Sequence, residues 1–169
     1  MIYINGDRIA EDIDNIAKTI NEYLIREKMV LVDENNIPLN PSAIENLVIQ
    51  NNAPQYLRAI HTTQLLREFK QELNGYIEKV NQYIDDIRDL DDQLSVINGY
   101  TSVVEAILSF IPITNFIQKD LINSDFLQSI SEKVFERAQL NDMSFIIDVI
   151  EYELLPLLQN VSDEIQEVM

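Results

Sequence analysis

From Leu66 onward the apolar residues fall at Leu66, Phe69, Leu73, Tyr76, Val80, Tyr83, Ile87, Leu90, Leu94 and Ile97. The intervals alternate three and four without an error, which is the heptad spacing of a helix lying against partners. Ile77 and Ile84 widen the stripe in its middle, and a wider stripe favours a helical bundle over a two-stranded coil. The pattern predicts one long helix. Gly75 costs it about 1 kcal/mol relative to Ala and is the place for a slight bend. The ten stripe positions are also the candidate surface for a protein partner or a second copy, unless one chain buries them itself.

Other stretches fill in the rest. Asn5-Gly6 in "IYINGDRI" is a strong two-residue hairpin signal, because both central positions need positive φ; the same glycine could end a single edge strand. Ile9, Ile13, Ile16, Ile20 and Leu24 form one face of a helix over about residues 10–28. "MVLV" reads as a strand, "DENN" as a turn, "IPL" as a short return and "NLVIQ" as a further strand. Asn52 with Gln55 resembles a capping box and Pro54 suits a first helical turn, so a helix is expected to open there. "SVINGYTS" reads as a break, Val103–Ile111 as a short helix ended by Pro112, and "FIQKDLI" as a half-turn element. Asp125 can cap a helix to Gln139 with Leu127, Ile130, Val134 and Ala138 inward, and a last helix starts after "LND". The expected fold is mainly α (α+β): a small α/β element, residues 1–51, packed on an elongated antiparallel helical bundle, residues 52–169.

Charge narrows the function classes. Twelve basic residues face 29 acidic ones, a net −17, spread over every third of the chain. Such a surface repels phosphate backbones and anionic lipid, so neither nucleic acid nor membrane is an expected partner. Solubility is its ordinary meaning; a basic or aggregation-prone partner is its functional one. The chain has no cysteine, which removes disulfides and thiolate chemistry. The start "MIYINGDRIAEDID" lacks the pattern of a signal peptide, and "VVEAILSFIPI" reads as too short and interrupted to span a bilayer. A cytoplasmic, soluble protein is expected.

No catalytic constellation emerges. The one histidine, His61, is preceded at three residues by Arg58, so the Glu-x-x-His pairs of a di-iron bundle cannot be built. "DLDDQL" starts like a calcium loop but carries Leu94 where glycine must turn the chain. The cluster Asp85, Asp86, Asp89, Asp91 and Asp92 reads as a solvated helix face. His61 reads as a surface or boundary residue on a helix, with no serine and aspartate signature for nucleophilic catalysis. Trp, the usual sugar platform, is absent. The expectation is no enzyme, no metal and no cofactor.

"DMSFIIDVIEYELLPLL", residues 142–158, sets carboxylates in a greasy stretch. On a wheel at 100° per residue, Met143, Ile147, Ile150, Leu154 and Leu158 share one side, and Asp148 and Glu153 flank it. Glu151 projects between Leu155 and Leu158. Either its stem packs while its head reaches water or an arginine, or it is a buried carboxylate with a raised pKa or a specific basic partner.

The "YING" start and this closing segment resemble a family of uncharacterised bacterial proteins. In that family a small α/β start precedes a helical part ending in an Asp–apolar–Glu-Tyr-Glu-Leu-x-Pro-Leu segment, and some members occur among motility genes. The resemblance implies a structural signature at Asp148, Glu151, Tyr152, Glu153 and Pro156 and carries no catalytic assignment. Three functions stand open: an acidic adaptor or export-type chaperone; a structural dimer through the Leu66–Ile97 stripe; and a small-molecule or enzymatic site near Tyr76, Tyr83 and Glu151.

Overall fold

The computed structural model describes residues 1–10, 16–39, 54–88 and 92–168. The fold is mainly helical, with one small sheet near the N-terminus. The chain divides into two compact units, Met1–Glu68 and Phe69–Met169.

In the first unit, strands β1 (Ile2–Ile4) and β2 (Asp7–Ala10) form an antiparallel hairpin. Asn5 and Gly6 make its turn with φ of 52° and 92°, the positive values that the Asn-Gly pair tolerates. Helix α1 (Ile16–Glu27) buries Ile16, Ile20 and Leu24. Ile9 belongs to β2 instead of the helix, and packs on the same core; Ile13 lies outside the described residues. Strand β3 (Met29–Val32) follows at once. Asp33 then stabilises the expected turn, its Oδ1 accepting from the N–H groups of Asn35 and Ile37, and the "IPL" return bridges back to Val32 through Pro38. The "NLVIQ" strand candidate lies outside the described residues.

Strand β4 (Gln55–His61) overturns the helix expected from Asn52. Pro54 precedes a strand, which needs no N–H there, and "YLRAIH" alternates with the period of two that a half-buried strand requires. Tyr56 stacks on Tyr3 at 5.0 Å between centroids, while Ala59 is buried on the other side with Ile2, Ile4 and Leu31 against α1. The sheet order is β2-β1-β4-β3, with β1 and β4 parallel. Asn5 extends that parallel pairing: its Nδ2 donates to the Ala59 carbonyl at 2.8 Å and its Oδ1 accepts from the Ala59 N–H at 2.9 Å. Because β4 belongs to the sheet, the first unit runs to Glu68 and not to residue 51. His61 ends the strand, exposed, instead of lying on a helix.

Helix α2 (Thr62–Ile87) continues through Gly75. The single long helix expected to Ile97 is in fact two. Asp92 caps α3 (Gln93–Ser109), its carboxylate accepting from the Leu94 and Ser95 N–H groups. A side-chain cap satisfies donors that no earlier turn can, so Asp92 starts a new helix and is no member of a continuous acidic face. The heptad register fails with it. Leu94 is 68% exposed and Ile97 half-buried, while Val96, Tyr100, Val103 and Ile107 make the buried face. Leu90, Asp89 and Asp91 lie outside the described residues. "SVINGYTS" is continuous helix, and Pro112 opens the short helix α4 (Ile111–Phe116) in its first turn.

Helix α5 (Ser124–Gln139) is capped by Asn123, not by Asp125, and buries Leu127, Ile130 and Val134 as its spacing predicts, while Ala138, expected inward with them, is only half-buried. Asp142 caps α6 (Met143–Val149). A π-helical segment, Ile150–Leu154, then leads into α7 (Leu155–Val168). Pro156 gives the physical reason. Inside an α-helix it would lose one hydrogen bond and press on the carbonyl four residues back; the wider turn, in which the Leu155 N–H reaches the Ile150 carbonyl, places Pro156 in the first turn of α7. Within this second unit α3 packs against α6 and the π segment, and α5 against α6.

Candidate functional site

The second unit holds three places worth testing, all built on or beside the heptad stripe. Leu73, Val80, Ile84 and Ile87 of α2 are buried within the single chain, as Leu66 is in the first unit. Phe69 is partly covered, its ring edge-on to Phe110 at 5.1 Å, and Tyr76 meets the same ring at 6.4 Å.

The first place is the seam between α2 and α3. Tyr76 donates to the Ser102 carbonyl at 3.2 Å and Tyr83 to the Ser95 carbonyl at 2.7 Å. Donors and acceptors are each one heptad apart and run in opposite directions, so the two helices are antiparallel. Gly99 lies between: a Cβ there would collide with the Tyr83 hydroxyl and ring. The glycine therefore lets the tyrosine ring cross α3 closely. Burial pushes the hydroxyls of both tyrosines above their ordinary range, with Asp92 adding to the effect at Tyr83. Neither is a base near neutral pH, and both donors are already used. A groove of about 380 Å³ beside them is lined by Lys79, Asn98 and Val103 among others.

The second place is Glu151. Its carboxylate pairs with Arg88, both groups partly exposed, while Asp148 and Glu153 are exposed on either side. Glu151 thus sits at the boundary with an arginine for its head. It is absent from the lining of the tyrosine groove, so the three residues grouped by sequence do not form one site. An exposed pair of this kind contributes about 0–1 kcal/mol.

The third place went unnoticed in the sequence. Helix α5 runs antiparallel to α3 on its other flank, with Gln93 donating to the Ala138 carbonyl at 3.2 Å and Tyr100 hydrogen-bonded to Ser131 at 2.8 Å. Burial raises the pKa of Tyr100, and the Ser131 bond offsets part of that. Between the helices lies an open groove of about 430 Å³ lined by Ile97, Tyr100, Val134, Phe135 and Ala138. Phe135 is 66% exposed, and Leu94 and Leu140, each next in sequence to a groove-lining glutamine, are 68% and 73% exposed. One cue was available: Phe135 lies about 100° from Val134, off the inward face of its helix.

Charge and hydropathy single out the same unit. Residues 69–169 carry six basic and 19 acidic residues, against six and ten in residues 1–68. By length and composition alone, the stretch Gln93–Phe116, which spans α3 and α4, is long and apolar enough to cross a membrane, a test that the core helices of globular proteins also pass. In the first unit, a hollow of about 490 Å³ is lined by charges of both signs, Asp7, Arg8, Arg26 and Glu27 among them. Among the described residues no group of three or more His, Asp or Glu side chains gathers as a metal site.

Comparison with protein families, with curated proteins and with solved structures finds no match to this chain. The class the fold defines is therefore a mainly helical protein with a small N-terminal sheet.

Proposed function

We propose that the protein is a non-catalytic protein–protein interaction module, an acidic adaptor or export-type chaperone acting in the cytoplasm, with a role in motility or secretion. One observation carries the reading: large apolar side chains, Leu94, Phe135 and Leu140, stand exposed on the strongly acidic second unit. Phe135 lines an open groove together with Ile97 and Val134, and contiguous apolar area of that kind marks interaction sites where scattered single residues do not. Asp92 and Asp142 are engaged in caps, Tyr76 and Tyr83 in a seam and Glu151 in a boundary pair, which is what a scaffold needs. A dimer through the Leu66–Ile97 stripe has less in its favour, since Leu73, Val80 and Ile87 are already covered in one chain.

The test is affinity capture from the native cell followed by reconstitution from purified components. The proposal expects one captured protein to form a complex of fixed stoichiometry with a chain that is monomeric alone. A chain that dimerises by itself, or captured proteins that fail to reconstitute, would contradict it.

A further inference from the structure

We infer that the α3–α5 groove is the docking site for an amphipathic helix of a partner protein, its apolar face seated on Ile97 and Phe135 and its flanks basic. The inference deepens the interaction reading above and rests on it.

Three observations converge. The first is uncovered apolar area on a helix that should not leave it so. Only 22% of the most apolar 18-residue window in Gln93–Phe116 is buried within the chain. Ile97 and Val104 are half-buried and Leu108 is 43% exposed, at spacings that continue one row along α3. The second is shape. Two antiparallel helices with an open apolar furrow between them receive a third helix by the ridge-into-groove packing that builds bundles.

The third observation is charge, and it selects the occupant. Helix α3 has one charged residue, Glu105, and no basic one. On α5, Ser131, Val134, Phe135, Ala138 and Gln139 line the groove, and a wheel at 100° per residue sets Gln128 and Glu132 within about 60° of Phe135, on the rim beside that lining. Lys133 and Arg137 fall on the opposite side, where Arg137 is held by Asp142 at 3.1 Å and covers the Phe145 ring. The furrow lining is thus uncharged, with one carboxylate beside it on each helix, Glu105 on α3 and Glu132 on α5, and no basic side chain on α3 or on the rim of α5. An anionic bilayer would meet those carboxylates and a net charge of −17, and a second copy of this chain would bring the same sign. A helix with lysine or arginine beside its apolar face satisfies both demands.

The probe is a synthetic amphipathic peptide with a leucine face and lysine flanks. It is compared with a glutamate-flanked counterpart, a scrambled lysine peptide of equal composition, and phosphatidylglycerol vesicles. The lysine-flanked peptide should bind saturably, and more weakly as salt rises. Phe135→Ala should weaken it about tenfold or more without altering the melt of the protein. Ile25→Ala, at an exposed position of α1 in the other unit, should leave binding unchanged. Glu132→Lys should weaken the lysine peptide and favour the glutamate one. Equal binding of the scrambled peptide, indifference to Phe135→Ala, or Phe135-dependent adsorption to vesicles in place of the peptide would each overturn the assignment. A reconstituted native partner that binds Phe135→Ala as well as the natural chain would also overturn it while leaving the interaction reading intact. Failure to reconstitute any partner would sink the interaction reading instead.

Discussion

On the α2 side of α3, two tyrosines reach across and bond to helix carbonyls, and Gly99 removes the one side chain that would hold the ring away. On the α5 side the neighbours are Ser131, Ala138 and Phe135, and the largest of them turns outward. One flank is a seam in which both tyrosine hydroxyls are hydrogen-bonded across the helices. The other is a furrow with an unused aromatic ring. The same helix therefore serves packing on one side and leaves contact area on the other. Apolar content alone does not distinguish a core position from a docking position; the partner side chains that cover it do.

The core beneath both flanks sets the upper limit of any effect. Leu154 is fully buried at the end of the π segment, so Leu154→Ala should cost about 2–5 kcal/mol in chemical denaturation, through lost transfer energy and a residual cavity. Glu151→Gln, on the same segment but at its edge, should cost about 0–1 kcal/mol. If Glu151→Gln proves as damaging as Leu154→Ala, the pair with Arg88 is a buried ion pair and the boundary placement is wrong.

The seam comes next. Gly99→Ala adds the methyl that collides with Tyr83; overpacking of this kind costs about 1–3 kcal/mol, against about 1 kcal/mol of helix propensity regained. The net loss should disappear when Tyr83 is shortened in the same chain, because the obstructing ring is gone. A double variant as unstable as the sum of the singles would show that Gly99 matters for some other reason.

A smaller effect lies at the start of α3. Hydrogen bonds from Ser95, side chain first and then backbone, hold Asp92 below the ordinary carboxylate range. A depressed folded-state pKa means that the cap's contribution is complete above the unfolded value and is lost as pH falls through the folded one. Asp92→Asn keeps a capping side chain without the charge. The stability difference between the natural chain and Asp92→Asn should therefore shrink on acidification below about pH 4. A difference that is constant through that range would deny the charged cap.

How much of this was legible in the residues can be traced element by element. Asn5-Gly6 specified its hairpin because so few residue pairs accept two positive φ values. The inward positions Ile16, Ile20 and Leu24 of α1 and Leu127, Ile130 and Val134 of α5, and the edge position of Glu151, followed from helical spacing, whereas Ile9 and Ala138 did not keep to it. Strand β4 was missed because Asn, Pro and Gln near residue 52 also suit a helix start, and no local rule separates the two. The α2–α3 break was hidden by a coincidence: Leu94 and Ile97 continue the heptad arithmetic, while the Asp92–Ser95 cap that ends it sits in a run of aspartates. The furrow was missed for a different reason. Periodicity tells which residues are apolar, and only tertiary structure tells which of them stay uncovered.

The most direct test of the contrast is equilibrium denaturation of Tyr83→Phe beside Phe135→Ala. Tyr83→Phe removes one seam hydrogen bond and should cost about 0.5–1.5 kcal/mol. Phe135→Ala deletes a larger side chain, yet should move stability by no more than about 0.5 kcal/mol, as for an exposed position. The reverse order, with Phe135→Ala the more damaging, would make the furrow part of the core and contradict the account.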